Sequence, residues 1–409
     1  MSTTPAHPLT RRGSVLAVLV VFAAAGFSMG QVLARLPAIR DAVGADKAEL
    51  GIALMGMGIG SLLAMPFTGR MVDRFGSRRV VSACVLLAST GYAALALVPS
   101  VPLLLLALLV TGTAVGVWDV GMNIQGSHVE RQRGRSWMPF FHAAFSAGAV
   151  LGAGAGAVAA WQGVGLVQLP VLAVVTVVLG LVAASRFVPE EHVEDVLVPA
   201  EGAAGEDPAE GGVAVAVGGA RGITRPEVLI GLVCLSAALA EGAANDWLAL
   251  LLVDVHGTPE AFGALTLTAF NVTMTVGRLV GGPFIDRWGR VTLVRLGGLL
   301  AATGILTVTL APSVVAALAG GLLWGLGVSA IFPAAMSAAG EVPGRGNRAI
   351  TVVSTIAYGA FLFGAPSIGL LAEAWGLDRA LFLVVGFLVL MVALAPVMRA
   401  RGRTGRMPS

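Results

Sequence analysis

Apolar residues run along this chain in long blocks, broken by short polar turns rich in Arg, Gly and Pro. About 20 apolar residues in a helix cross a hydrocarbon layer roughly 30 Å thick. On that ruler the blocks predict twelve spans, near residues 14–36, 49–69, 79–98, 102–126, 138–160, 166–187, 227–252, 260–283, 291–310, 313–339, 349–373 and 379–398. Backbone groups in lipid must pair within their own segment, and the blocks lack the two-residue alternation of a barrel strand, so the spans are helices. Spans 3 and 4 are divided only by Val98-Pro99-Ser100-Val101-Pro102, a tight turn.

The pattern breaks once, over residues 188–225. There Glu190, Glu191, Glu194, Asp195, Glu201 and Glu206 alternate with Gly, Ala and Pro. Such a segment cannot bury enough apolar surface to order itself. The division predicted is an N-terminal six-helix bundle over 1–187, a flexible cytoplasmic linker over 188–225 and a C-terminal six-helix bundle over 226–409.

Composition agrees with immersion in lipid. The chain is 56% hydrophobic and 12% charged, with mean hydropathy +0.87, whereas a soluble domain carries roughly 25% charged residues. The basic pI near 9.4 comes from arginines gathered at the ends of apolar runs, a mark of membrane topology and not of nucleic-acid binding. With the N-terminus inside, all but Arg35, Arg40, Lys47 and Arg379 of the 26 basic residues fall on the cytoplasmic side. The expected location is a bacterial cytoplasmic membrane, with both termini cytoplasmic. The first run, longer than a signal core and lacking a small-x-small cleavage site, reads as a retained helix. Cys84 and Cys234 lie alone in apolar runs, so neither a metal site nor a disulfide is expected, and no cofactor motif is present.

One turn occurs twice. Gly69-Arg-Met-Val-Asp73-Arg74-Phe-Gly76-Ser-Arg78-Arg79 separates spans 2 and 3, and Gly282-Pro-Phe-Ile-Asp286-Arg287-Trp-Gly289-Arg290 separates spans 8 and 9. A repeat at half the chain length means two homologous halves. This doubled turn resembles the loop between helices 2 and 3 of the major facilitator superfamily. Trp118-Asp119-Val-Gly-Met-Asn123, Phe141-His142-Ala-Ala-Phe-Ser146 and Ala240-Glu241-Gly-Ala-Ala-Asn245-Asp246-Trp247 are similar to a bacterial inner-membrane branch distantly related to fucose permease. The fold class expected is therefore an all-α membrane protein with twelve transmembrane helices in two six-helix bundles.

The resemblance assigns roles. Gly69, Asp73, Arg74, Gly76 and Arg78, with Gly282, Asp286, Arg287 and Gly289, become a conformational switch in which Asp73 caps a neighbouring helix and pairs with arginine. Spans 2, 5, 8 and 11, rich in glycine, are expected to join the halves. Spans 1, 4, 7 and 10 are expected to line the central cavity. An ionisable group inside a span is costly and so a functional candidate. The candidates for solute binding or proton coupling are Gln31, Asp119, Asn123, His142, Glu241, Asn245 and Asp246. Glu241, near mid-membrane, is the expected coupling carboxylate, and Asp119 would exchange its proton or hold the solute. The same groups could instead bond to one another as structural glue, and His142 could be a structural histidine. Trp118, Trp247, Trp324 and Tyr358 would stack on a ligand or face lipid.

The resemblance implies a monomeric secondary transporter for a sugar-like or effluxed solute, with protons as coupling ion and the bilayer as its partner. A transport-inactive sensor with the same fold is the alternative. No catalytic constellation points to an enzyme.

Overall fold

The computed structural model describes residues 8–133, 137–188, 222–343 and 346–399. The expected linker lies almost wholly outside the described residues. The elements are α1 (Pro8–Leu33), α2 (Leu36–Val43), α3 (Lys47–Phe75), α4 (Ser77–Ala94), α5 (Val101–Arg133), α6 (Met138–Trp161) and α7 (Gln168–Ala184). The second half holds α8 (Arg225–Asp254), α9 (Glu260–Leu310), α10 (Val314–Val328), α11 (Ile331–Gly340), α12 (Gly346–Trp375), α13 (Leu377–Ala380) and α14 (Phe382–Leu394).

Nine stretches among the described residues are long and apolar enough to cross a bilayer. One of them is α9, which contains two crossings joined at Gly289, where φ is 80°. Adding the shorter α4 and α7 gives the twelve crossings that the apolar blocks predict. Gly76, at φ 78°, makes the corresponding turn between α3 and α4. An L side chain rarely adopts that backbone, so both doubled turns need glycine at this position. Large apolar side chains such as Leu63, Phe67, Val174, Leu279, Phe363 and Val389 stand exposed on the outer surface, as a lipid-facing belt requires.

Each half is sealed by close helix approaches. A Cβ on Gly148 would sit 2.0 Å from the Ala23 carbonyl, and one on Gly152 2.2 Å from that of Phe27, so α6 lies directly against α1. Gly60 and Gly112 press α3 and α5 together in the same way. This corrects the expectation for the glycines of spans 5 and 8. Gly148, Gly152 and Gly156 pack on α1, and Gly277 and Gly281 pack on Ser329 and Ala330, each inside its own half. The halves do meet along α3 with α12 and α6 with α9. The glycines that serve this seam are Gly51, Gly58 and Gly369, at 2.6 Å from Ala365, 3.2 Å from Phe361 and 2.4 Å from Lys47.

Those three contacts lie on the stretch of α3 and α12 remote from the doubled turns. Nearer the turns, Gly69 and Gly282 have no neighbour within 4 Å of a Cβ position. The close glycine contacts across the seam therefore gather at the face away from the turns.

Candidate functional site

Between the halves lies a cavity of about 570 Å³. Its walls run from Leu54 and Gly364, near the tight face, to Met65, Met122 and Met336, toward the turn face. Helices α1, α3, α5, α8, α11 and α12 all contribute. Most of the wall is apolar and soft: Met29 and Met57 join the methionines already named, with Trp118, Phe145, Phe332 and Phe361.

Three of the expected polar residues reach this cavity: Asp119 on α5, and Asn245 and Asp246 on α8. Asn123, one turn beyond Asp119, donates its amide to the Asp119 backbone carbonyl at 2.8 Å and to the carboxylate at 3.3 Å. It acts on the cavity through Asp119. Tyr358 of α12 lies within electrostatic range of Asp119. Gly112 and Gly116, one and two turns before Asp119 on α5, pack against Met57 and Ser61 of α3.

Glu241 does not line the cavity. Five helical positions from Asp246 is about 140° round the axis, and there its carboxylate accepts two hydrogen bonds from the Arg278 guanidinium, at 3.0 and 3.2 Å. A lone mid-membrane carboxylate was expected; a salt bridge is found. Arg278 also reaches the Ser146 hydroxyl of α6 at 3.4 Å and the Ser329 carbonyl at 3.4 Å, so it ties the second half to the first. The basic-residue count had assigned Arg278 to the cytoplasmic flank; it sits inside the span. Its signal was present in Gly277-Arg278-Leu279-Val280-Gly281, an ionisable residue within an apolar run.

Gln31 is fully buried on α1, beside Gly152 and Gly156 of α6, and both its side-chain polar atoms lack a partner among the described residues. His142 is exposed and packs edge-on against Phe22 at 5.4 Å. Neither lines the cavity. Of the aromatic candidates, Trp118 and Tyr358 do. Trp247 and Trp324 are buried in the second half, where the Trp324 indole donates to the Ala240 carbonyl at 3.1 Å.

The tight face is closed by charge. Arg40 of α2 bonds Asp254 at the end of α8 at 2.5 Å, and the Lys47 ammonium lies 3.5 Å from the same carboxylate. Arg35, expected at the outer end of span 1, is only 2% exposed. It pairs with Glu260 at 2.9 Å and donates to Gln168 at 3.3 Å. The Lys47 amide donates to Glu373, and Trp161 meets Phe262 at 6.5 Å. Each of these links, apart from Arg35 to Gln168, joins one half to the other.

The switch residues stand in the opposite condition. Asp73, Arg74 and Arg78 are exposed, as are Asp286 and Arg287. Neither aspartate forms an ion pair with a described residue. The capped and paired Asp73 that the resemblance implied is not the arrangement here. Arg290 instead clamps Glu341 and the Ser337 hydroxyl within the second half.

A family model described as Major Facilitator Superfamily matches this chain over residues 16–266 and 230–407. The chain is 35% identical to the "uncharacterized transporter" y4wD of Sinorhizobium fredii, over 92% of this chain and 97% of that protein. It is 32% identical to an MFS-type transporter of Yersinia pestis, over 91% and 92%, and 30% identical to the membrane protein MosC of Rhizobium meliloti, over 99% and 93%. Among solved structures, a mutant form of the nucleoside transporter NupG superposes with a TM-score of 0.74 at 13% identity, covering 94% of this chain and 99% of that one. A bacterial homolog of the lysosomal transporter Spinster, inward-facing and occupied, gives 0.70 at 14%, covering 96% and 97%.

Proposed function

The chain belongs to the major facilitator superfamily, and we propose that this membrane transporter is a secondary carrier that moves a small organic solute by alternating access. One observation carries the reading: a cavity between two bundles that ion pairs join at the face away from the doubled turns. In this reading the turn face is cytoplasmic, because the arginines gather there. Both termini and the 188–225 tether then lie in the cytoplasm of a bacterium, and the conformation is inward-open. The names of the relatives, transporters by description, weigh against a sensor.

Protons are the proposed coupling ion, and Asp119 and Asp246 the groups that carry them. Each presents a carboxylate to the cavity without a cationic partner among the described residues. Opening the cavity hydrates a carboxylate and favours release of its proton, and closing reverses this. Glu241, held by Arg278, becomes a positioning residue.

Uptake into proteoliposomes under an imposed pH gradient tests this, using solutes found by thermal stabilisation of the purified protein. Asp246→Asn is expected to abolish accumulation driven by the gradient while counterflow without a gradient survives, and Asp119→Asn to weaken both. Glu241→Gln is expected to lower thermal stability, because it strands the Arg278 charge, and to retain a response to pH. If Asp119→Asn and Asp246→Asn both still accumulate solute in response to pH, the coupling reading fails.

A further inference from the structure

The charged side chains of the cavity wall, Asp119 and Asp246, are of one sign. Asp119 and Asp246 are acceptors when ionised. The side-chain partner of Asp119 is the Asn123 amide alone among the described residues, and Asp246 has no hydrogen-bond or ion-pair partner among them. The Asn245 Oδ1, a third acceptor, is buried without a partner among the described residues. No Lys or Arg is among the described residues that line the cavity. Arg278, within the second half, is paired with Glu241. The remaining donors on the wall, the hydroxyls of Ser61, Tyr92, Ser354 and Tyr358 and the Trp118 indole N–H, are all uncharged and leave the two carboxylates without a positive charge.

Buried acceptors without donors are costly, and unpaired carboxylates more so. The matching ligand must bring donors and positive charge. The rest of the wall asks for something else. Methionines fit an irregular apolar body, and the faces of Trp118, Tyr358 and Phe361 attract a cation.

We propose that the cavity takes an organic cation, a protonated amine carrying an apolar or aromatic body. A primary ammonium has three N–H donors and a positive charge, and the Asp119 and Asp246 carboxylates on the wall supply acceptors of the opposite charge. The methionine and aromatic walls hold the body. This rests on reading the cavity as the solute site and names the class of solute it takes.

The test uses the purified full-length protein at near-neutral pH and three probes of one shape: 2-(1-naphthyl)ethylamine, its neutral N-acetyl amide, and the anion 1-naphthylacetate. Binding is read by quenching of tryptophan fluorescence and by thermal stabilisation. The amine is expected to bind at least about tenfold more tightly than the amide, the scale of one hydrogen bond to a charged group, with the anion weakest. Asp246→Asn should remove most of that preference, weakening amine binding far more than amide binding. Amide or anion binding equal to the amine overturns the proposal without needing any variant to fold. So does an amine preference that survives both Asp246→Asn and Asp119→Asn. Because no gradient is involved, the coupling reading is judged separately. A protein that prefers the amine yet ignores a pH gradient loses the proton and keeps the cation. One that responds to the gradient but shows no preference for the amine keeps the proton and loses the cation.

Discussion

The two ends of the seam between the halves are built differently. At the closed end, α3 and α12 touch backbone to backbone at Gly51 and Gly369, and Arg35, Arg40 and Lys47 reach across to Glu260 and Asp254. At the turn end, Gly69 and Gly282 have no neighbours, and Asp73 and Asp286 are exposed. A rocking carrier needs this asymmetry. Contacts that hold one end must be few and separable, since the other conformation has to release them. Ion pairs suit that role better than a large apolar interface, because water can take up each charge once the face opens.

The largest effect is expected where packing leaves no slack. A side chain at Gly369 would begin 2.4 Å from the Lys47 carbonyl and 3.2 Å from the Gly51 Cα. Overpacking of this kind costs about 1–3 kcal/mol, and each 1.4 kcal/mol is about tenfold in population. Gly369→Leu should therefore spring the closed end and slow solute counterflow by about tenfold or more. Gly69→Leu, with nothing near it, should leave this conformation unchanged. Equal behaviour of the two variants in a counterflow assay would erase the distinction between the ends.

Next comes the charge lock. Asp254→Asn removes the partner shared by Arg40 and Lys47. Breaking a fully buried pair costs about 3–5 kcal/mol, and this one, with its side chains 12% and 15% exposed, should lose less, about 2 kcal/mol. The readout is labelling of a cysteine placed at Ala243, with Cys84 and Cys234 replaced by Ala, using a reagent confined to the closed face. Labelling should rise severalfold. The swapped pair Arg40→Asp with Asp254→Arg should bring it back toward wild type; no change in Asp254→Asn would show that the lock carries no weight.

The turn aspartates should matter less. Asp73→Asn alters a group that is exposed here, so it should act by weakening the opposite conformation, where a helix-end charge is worth about 0.3–2 kcal/mol. Expression should be normal, transport slower and the population shifted further toward the open turn face. Asp286→Asn should do the same more weakly, because its turn lacks the second arginine after glycine. Unchanged kinetics in Asp73→Asn would remove the switch from that residue.

The smallest effect concerns Glu341. Hydrogen bonds from Arg290 are the first cause holding its carboxyl below the usual carboxylate range. A depressed folded pKa stabilises at pH above the unfolded value and loses that contribution as pH falls through the folded one. Because Glu341 is well exposed, the slope of melting temperature against acid pH should change only slightly in Glu341→Gln. A change as large as that of Asp254→Asn would mean that this clamp, too, holds the halves.

The apolar blocks predict twelve crossings and the doubled turn predicts two related halves, because crossing a bilayer is a matter of length and local composition. Asp119, Asn245 and Asp246 could be picked from the sequence for the same reason: a charge or amide inside an apolar run is visible without neighbours. Which of them share a cavity was not visible there. Asp246 and Glu241 sit on one helix, five residues apart, and only the packing of α8 against α9 turns one toward the cavity and the other toward Arg278. The glycines of α6 were equally plain in the sequence, and only the tertiary structure shows that they face α1 and not the other half. A helix presents residues on every side, so the sequence determines what each side offers, while the neighbouring helices decide which side meets solute, lipid or the opposite charge.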